Sequence, residues 1–227
     1  MLTEIAARAE ICRVGRSLFE RGYVHGTAGN ISVRLDESQG AGYLITPTDA
    51  CLGFLDAKRL ARVDAGGCQR SGEPASKTMT LHAQIYAASR RFDRDTACII
   101  HTHSTHCVAL TLSPDAAATE LLLPVTPYFV MKVGHVPLIP YHRPGSPDVP
   151  QAVAEVIGRF GEAGAPIRAV MLARLGPNVW HDSPGKAMAV LEELEETARL
   201  TLLGGTVTEP LNHRQLDELR RTFGARW

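Results

Sequence analysis

The apolar positions of the chain change repeatedly between a helical spacing and a strand-like spacing. Spacings of three and four residues predict helices, whereas alternating or short continuous apolar runs predict strands. The predicted helices cover residues 4–21, 77–90, 104–112, 147–160, 183–204 and about 213–222. The predicted strands cover residues 31–35, 43–45, 98–100, 169–172 and 178–180. Helices and strands interleaved in this way predict an α/β fold.

Polar and glycine-rich segments between these elements predict the turns. Segments 26–30 and 46–49 are predicted turns, and Gly176-Pro177 is predicted as the turn between the last two strands. The stretch 121–144 is rich in proline and β-branched residues and is predicted as short strands and loops. In the helix that begins at Ser183, the glutamates between positions 192 and 196 are predicted to face solvent.

Composition narrows the class of protein without adding a function. The 227 residues are 44% apolar and 21% charged, with 24 basic and 24 acidic side chains. The balance argues against a general nucleic-acid or membrane-surface binder. There is no apolar run of about 18 residues and no signal-peptide pattern. The five cysteines are an odd number without a CxxC pair, which favours a reduced cytoplasmic protein, and the absence of repeats and linkers favours one domain over 1–227.

A pair of histidines at the end of a predicted strand is the first candidate for chemistry. His101 and His103 are separated by one residue, and alternate strand residues point the same way, so their imidazoles can share one metal ion. An isolated HxH is more often structural than metal-binding. The position favours a site here, because ligands of α/β proteins gather beyond strand ends.

Three other segments carry small or hydroxyl-bearing residues that suit an anion. They are Gly26-Thr27-Ala28-Gly29-Asn30, Thr46-Pro47-Thr48, and the segment 71–77 that ends in Ser76-Lys77. Glycines let backbone N–H groups approach an anion, and hydroxyls with a lysine at a helix start suit a phosphate monoester. Taken one at a time, each segment is more often an ordinary turn or helix cap.

Taken in order along the chain, these segments resemble the class II aldolase/adducin family. The matching segments are GTAGNISVR (26–34), ITPTD (45–49), SGEPASK (71–77) followed by His82, CIIHTHSTHCVAL (98–110), PVTPYFVM (124–131), VPLIPYHRPG (136–145) and LEELEETARL (191–200). The resemblance covers the chain from the first helix to the long helix at 183–204. It implies a three-layer α/β/α fold with a central mixed β-sheet.

The resemblance also implies a site and an assembly. It implies a divalent metal ion on His101 and His103, with zinc expected first and manganese or iron as alternatives. It implies a substrate phosphate held by Gly29, Asn30, Thr48 and Ser76. A tyrosine of the matching segment, here Tyr128, is implied as a proton donor, and Lys77 is expected to supply positive charge. The implied assembly is a homotetramer with active sites between subunits.

The expected activity is that of a carbon–carbon lyase acting on a small phosphorylated sugar acid. The segments SGEPASK, TPYFVMK and PYHRPG are most similar to family members that decarboxylate 3-oxo-tetronate 4-phosphate to dihydroxyacetone phosphate. A sugar-phosphate aldolase or epimerase is the alternative within enzymes. A non-catalytic member used for binding or assembly is the alternative outside them.

Two positions depart from the family pattern that the resemblance implies. Leu175 occupies the place of the third metal histidine, and Thr78 occupies the place of an acidic residue four positions before His82. Leucine cannot bind a metal, and threonine is at best a weak neutral ligand. Three explanations stay open: another donor from among His106, His142 and Glu73; weak metal binding completed by substrate oxygens; or loss of the metal site.

Overall fold

The computed structural model describes residues 2–112, 120–205 and 208–227. Within these ranges helices and strands are interleaved along the chain, as the apolar pattern predicts. The helices are α1 (Glu4–Glu20), α2 (Met79–Ser89), α3 (Thr105–Leu110), α4 (Pro127–Lys132), α5 (Asp148–Glu162), α6 (Pro184–Gly204) and α7 (His213–Phe223). The strands are β1 (Asn30–Leu35), β2 (Gly42–Ile45), β3 (Ala61–Val63), β4 (Gln69–Ser71), β5 (Cys98–His101), β6 (Leu138–Ile139), β7 (Ala169–Leu172) and β8 (Gly176–His181).

All eight strands belong to one sheet with the order β4-β3-β2-β1-β5-β8-β7-β6. Its neighbouring strands are antiparallel except β6 and β7, which are parallel. The sheet is therefore mixed, as expected. Strands β1, β5 and β8 occupy its centre, and both of their faces are buried.

Two apolar clusters cover the two faces of the sheet. Helices α1, α4 and α6 contribute to the larger cluster, together with Ile31 and Val33 of β1 and Ile100 of β5. Helices α2 and α5 contribute to the other cluster, together with Ile99 and Trp180. Consecutive residues of β5 thus enter opposite clusters, as the side-chain alternation of a strand requires. This arrangement confirms the predicted three-layer α/β/α fold.

Side chains cap some of the helix starts and not others. The Thr3 side chain accepts a hydrogen bond from the N–H of Ala6 at 3.2 Å and caps α1. Asn212 and Gln215 form a capping box at the start of α7. Ser183 occupies the N-cap position of α6, and Pro184 follows it at the first helical position as predicted, but the serine side chain makes no capping bond.

Several local predictions were wrong or incomplete. The turn between β7 and β8 covers residues 173–175, whereas Gly176 and Pro177 belong to β8. Arg174 adopts a positive φ of 63° in this turn, and Pro177 lies within the strand, opposite Met171. Helix α4 lies in the stretch predicted as strands and loops. Strands β3 and β4 were not predicted, because three residues are too few to show a strand period.

One glutamate of the run on α6 is buried, contrary to the prediction for that run. Glu195 is 4% exposed, and its carboxylate accepts hydrogen bonds from the backbone N–H groups of His106 at 2.9 Å and Cys107 at 3.0 Å. Burial alone would raise the pKa of Glu195, but these N–H groups hold it below its ordinary value. The carboxylate thus fixes the start of α3, immediately after the two histidines.

We expect Glu195→Ala to lower the free energy of unfolding by about 3 kcal/mol, because it leaves two backbone N–H groups without their charged acceptor. Urea denaturation monitored by circular dichroism measures this loss. Glu196→Ala is the matched control on the same helix, and it should change the free energy by less than about 0.5 kcal/mol. Equal losses in the two variants would contradict a special role for Glu195.

Candidate active site

The glycine turn and the histidine strand meet at one end of the sheet. Asn30, the first residue of β1, lies directly opposite His101, the last residue of β5. Opposite residues of an antiparallel pair project from the same face, so both side chains are on the side of α2 and α5. Gly29 has a φ of 86°, and a Cβ there would lie 2.7 Å from the carbonyl oxygen of His101. Only glycine permits this approach of the turn to the strand end.

The two hydroxyl-bearing segments are paired with each other and with β1. Pro47 and Ala75 form an antiparallel bridge, flanked by a hydrogen bond from Thr48 N–H to the Pro74 carbonyl at 2.8 Å. On the other side of the bridge, Ser76 N–H donates to the Thr46 carbonyl at 3.2 Å. The structure therefore brings Thr48 and Ser76 onto neighbouring segments.

Thr46 connects these segments to the glycine turn. Its hydroxyl accepts a hydrogen bond from Ile31 N–H at 3.2 Å, and its own N–H donates to the Ile31 carbonyl. Ile31 follows Asn30 in β1. The four residues expected to hold phosphate, namely Gly29, Asn30, Thr48 and Ser76, thus lie on segments that are hydrogen-bonded to one another at one end of the sheet.

His101 and His103 have an arrangement that suits two ligands of one metal ion. Their ring centroids are 5.0 Å apart and the rings are inclined at 66°. Two imidazoles on a tetrahedral ion, with metal–nitrogen distances of about 2.0–2.1 Å, have centroids roughly 5 Å apart. The Nδ1 atom of His101 is 2.9 Å from the Pro177 carbonyl oxygen, so Nδ1 carries the proton and Nε2 keeps its lone pair.

Both imidazoles are held in the neutral form that a metal ligand needs. Burial and, secondarily, the nearby His103 lower the pKa of His101 to about 4. Burial is also the main cause that lowers the pKa of His103, and the charge of His25 adds to it. Neither ring has to lose a proton to coordinate an ion near neutral pH.

A buried polar network lies behind His101. His82 Nδ1 is 2.7 Å from the Ser32 hydroxyl, which is 2.9 Å from the Tyr86 hydroxyl. Burial, with a smaller effect of His101, lowers the pKa of His82 to about 3. The resemblance drew attention to His82, but no signal in the sequence indicated the partnership with Ser32.

Sequence reasoning missed Asn178. It lies opposite His101 in the pairing of β5 with β8, so His101 has an asparagine on each side along the same row. Asn178 is fully buried, and neither polar atom of its amide has a hydrogen-bond partner within the part of the chain described. A polar residue between Pro177 and Val179 in a buried strand was the available signal.

Lys77 and Tyr128 are less closely associated with the histidine pair than the residues described above. Lys77 lies between Ser76 and Thr78, the N-cap residue of α2, and is exposed, so it lies beside the hydroxyl-bearing segments. Tyr128 lies on α4, which packs against α6 and α7, and its side chain is 62% exposed. Neither residue contacts the histidine pair through a hydrogen bond in the described ranges, so the assignment of both as catalytic stays a prediction.

The two departures from the family pattern lie next to the histidines and the phosphate segments. Leu175 packs against the apolar cluster of α2 and α5. A Cβ on the following Gly176 would overlap the carbonyl oxygen of Thr102, so this turn lies against the segment between the two histidines. The Thr78 hydroxyl is 2.8 Å from the Ser76 hydroxyl at the start of α2.

The three residues considered as replacement metal ligands either bind other side chains or lie away from His101 and His103. His106 Nδ1 is 2.8 Å from Glu195. Glu73 forms an ion pair with Arg59 at 2.6 Å, and both residues line, together with Thr48, a cleft of about 290 Å³. His142 is partly exposed in the loop after β6. In the described ranges no three His, Cys, Asp or Glu side chains form a metal-binding group, so the pair fits two ligand positions only.

Comparison with known proteins identifies the family. The model of the class II aldolase and adducin N-terminal domain matches residues 9–202. The chain belongs to this family, as its motifs predicted, and the family typically uses a divalent metal. A 3-oxo-tetronate 4-phosphate decarboxylase of Cupriavidus necator is 49% identical over the full length of both chains.

Two further relatives agree with this placement. A 3-oxo-tetronate 4-phosphate decarboxylase of Escherichia coli is 38% identical over 96% of each chain. The crystal structure of YgbL from Klebsiella pneumoniae has a TM-score of 0.86 at 39% identity, covering 97% of this chain and all of that one. The fold prediction is thereby confirmed. Among the described residues no helix is both long and apolar enough to span a bilayer.

The depressed pKa of His82 makes stability depend on pH. The ordinary histidine pKa is 6.5, so the unfolded chain takes up a proton below that value, whereas the folded protein does so only near pH 3. The free energy of unfolding is therefore fully retained above about pH 6.5 and falls as the pH decreases, by about 2 kcal/mol between pH 7 and 5 for this residue. We expect His82→Gln to reduce the total decrease by that amount.

Urea denaturation at the two pH values, with a chelator present, measures this difference. His213→Gln is the control because His213 is exposed at the start of α7, and it should leave the pH dependence unchanged. An unchanged pH dependence in His82→Gln would show that His82 is not held neutral by burial.

Proposed function

We propose that the chain is a carbon–carbon lyase that decarboxylates 3-oxo-tetronate 4-phosphate to dihydroxyacetone phosphate. The observation that carries this proposal is the pairing of Asn30 with His101. It brings the segments expected to bind phosphate next to the two imidazoles. The relatives at 38–49% identity over nearly their whole length carry the name of this decarboxylase, which supports the same substrate here.

In this proposal the phosphate group binds where the three segments meet. Gly29 contributes a backbone that approaches closely, Asn30 an amide, and Thr48 and Ser76 hydroxyls. Asn30 is 5% exposed, and in this proposal its Nδ2 group donates to a phosphate oxygen. Lys77, next to Ser76, adds a positive charge for the phosphate or the carboxylate end of the substrate.

The reaction breaks the bond between C1 and C2 of a 3-oxo acid. The bonding electrons flow into the C3 carbonyl, CO₂ leaves, and the resulting enediolate takes a proton at C2 to give dihydroxyacetone phosphate. A divalent ion on His101 and His103 would supply Lewis-acid polarisation of that carbonyl. Tyr128 is the proposed proton donor, reaching the site of a neighbouring subunit from its exposed position on α4.

The state of Thr78 favours decarboxylation over aldol cleavage within this family. Its hydroxyl is neutral and bonded to Ser76, so it cannot act as the carboxylate base that the resemblance implies for aldolases. Loss of CO₂ produces the carbanion without removal of a C–H or O–H proton. A decarboxylase therefore tolerates threonine at this position.

The remaining parts of the proposal concern the ion, the assembly and the location. We propose zinc as the ion, because imidazole nitrogen is a favoured zinc ligand. We propose that residues 1–227 act as one domain and assemble as a homotetramer. The five free cysteines and the absence of a described disulfide support a reducing, cytoplasmic location.

Purified protein supplied with a divalent metal and 3-oxo-tetronate 4-phosphate should release CO₂ and form dihydroxyacetone phosphate. Trapped CO₂ and a coupled dehydrogenase assay for the triose phosphate measure the two products. The unphosphorylated oxo acid is the matched control, and its kcat/KM should be lower by roughly tenfold or more because the phosphate contacts are missing. Cleavage of fuculose-type phosphates without decarboxylation would favour the aldolase, and no reaction with either substrate would favour the non-catalytic alternative.

We expect Tyr128→Phe to lower kcat roughly a hundredfold, because a proton donor is removed, while KM changes by less than about twofold. Thermal unfolding should be unchanged, since the side chain is exposed. Tyr141→Phe is the control, because Tyr141 is equally exposed at 62% in the loop after β6. A rise in KM with an unchanged kcat would assign Tyr128 to substrate binding instead.

A further inference from the structure

A row of polar side chains crosses the three central strands of the sheet on the side that α2 and α5 cover. Asn30 of β1, His101 of β5 and Asn178 of β8 lie directly opposite one another in the two ladders, so all three project from the same face. Side chains opposite each other in an antiparallel pair have Cβ atoms about 4.5–5.5 Å apart. His101 therefore has an amide side chain as a close neighbour on each side.

The His101 ring is directed towards β8, the strand of Asn178. Its Nδ1 atom donates to the Pro177 carbonyl oxygen at 2.9 Å, and the Thr102 N–H donates to the same oxygen at 3.2 Å. Pro177 directly precedes Asn178, so the Asn178 side chain lies beside the imidazole. Asn178 is fully buried, and among the residues that the structure describes neither its Oδ1 nor its Nδ2 atom has a hydrogen-bond partner.

Two further residues on this side of the sheet carry buried polar atoms. The Nδ1 atom of His82 is 2.7 Å from the hydroxyl of Ser32, which is two residues from Asn30 in β1 and projects from the same face. His82 is fully buried and Asn30 is 5% exposed. Within 2–112, 120–205 and 208–227, the Nε2 atom of His82 and the Oδ1 atom of Asn30 have no hydrogen-bond partner. Three residues on the His101 side of the sheet therefore carry unpartnered polar atoms.

Buried polar atoms of this kind indicate internal water. A buried amide or imidazole without a hydrogen bond destabilises the folded state, and folded proteins rarely keep such groups unpaired. Internal water typically makes about three hydrogen bonds to groups that no protein atom satisfies, whereas apolar cavities stay dry. The face that carries His101 offers water several donors and acceptors, and two of them belong to Asn178.

We propose that the amide of Asn178 binds ordered internal water, and that the amide and the water together hold the His101 imidazole in place. His82 Nε2 and Asn30 Oδ1 supply further hydrogen-bond partners for the water. Asn178 is then a positioning residue, because it keeps His101 in the rotamer in which Nδ1 donates to Pro177 and Nε2 is available to an ion. The inference rests on the metal-assisted form of the proposed function.

The first test is Asn178→Leu, which nearly keeps the size of the side chain and removes both polar atoms. Titration of Zn²⁺ into chelator-treated full-length protein by calorimetry should give a Kd roughly tenfold higher than that of the wild type, because the imidazole is less firmly held. Urea denaturation should give a folding equilibrium constant lower by roughly tenfold, because the water loses its amide partner. Val179→Ala is the matched control on the same strand. Its side chain lies in the opposite apolar cluster, so it should lose stability and keep the wild-type Kd for Zn²⁺.

Asn178→Ser separates the polarity of the side chain from its packing. The smaller hydroxyl leaves room for one more water, so the Kd for Zn²⁺ should stay within about threefold of the wild-type value. A Kd as high as that of Asn178→Leu would overturn the inference. A high-resolution crystal structure of the wild-type protein is the direct measurement, and it should show water bonded to the Asn178 amide. Absence of that water would overturn the inference even if Asn178→Leu does not fold.

The outcomes separate this inference from the proposed function. A more stable Asn178→Leu variant would show that the amide has no partner in the folded protein and would overturn the inference. Wild-type Zn²⁺ affinity in Asn178→Leu, or a wild-type protein that binds no Zn²⁺, would also overturn it, while CO₂ release by the wild type would leave the decarboxylase intact. Weakened Zn²⁺ binding by Asn178→Leu, in a chain that does not decarboxylate the oxo acid, would support the inference and reject the decarboxylase.

Discussion

The antiparallel pairing of β1 with β5 is the interaction on which the candidate site depends. It puts Asn30 opposite His101, and the next pair along the ladder, Ile31 and Ile100, lies in the apolar cluster beneath α1 and α6. A slip of one residue would move Ile31 out of that cluster and Asn30 away from the histidine. Burial of the isoleucines therefore fixes the register. The register in turn fixes the distance between the segments expected to bind phosphate and the two imidazoles.

The segment that carries the two histidines is held by residues from three distant parts of the chain. Gly29 approaches it from the turn before β1, and Gly176 approaches it from the start of β8. Glu195 of α6 binds the backbone N–H groups at the start of α3, just beyond the pair. Such support from rigid elements holds a site in a single geometry, which lowers the cost of ordering it when a ligand binds.

The departures at Leu175 and Thr78 both replace a residue that could bind a metal or accept a proton with one that cannot. Leu175 adds its side chain to the apolar cluster of α2 and α5, and Thr78 forms a neutral hydrogen bond with Ser76. Both positions thereby lose charge or coordinating power while keeping local packing. A reaction that produces its carbanion by loss of CO₂ still needs an electron sink, but it does not need a carboxylate base. The chain's donor set therefore suits decarboxylation better than aldol cleavage.

The sequence by itself determined the interleaving of helices and strands, the family, and the segments that meet at the candidate site. These features are local. They depend on apolar periods of two and 3.6 residues and on short motifs such as the glycine segment 26–30 and His101-Thr102-His103. The short strands β3 and β4 and the helix α4 were not determined in this way, because three to six residues are too few to show a period. Only the tertiary structure decided which residues meet: Asn178 beside His101, Ser32 with His82, and Glu195 at the start of α3. Such contacts join residues up to 89 positions apart in the chain, and strand register and helix packing, which no local pattern encodes, bring them together.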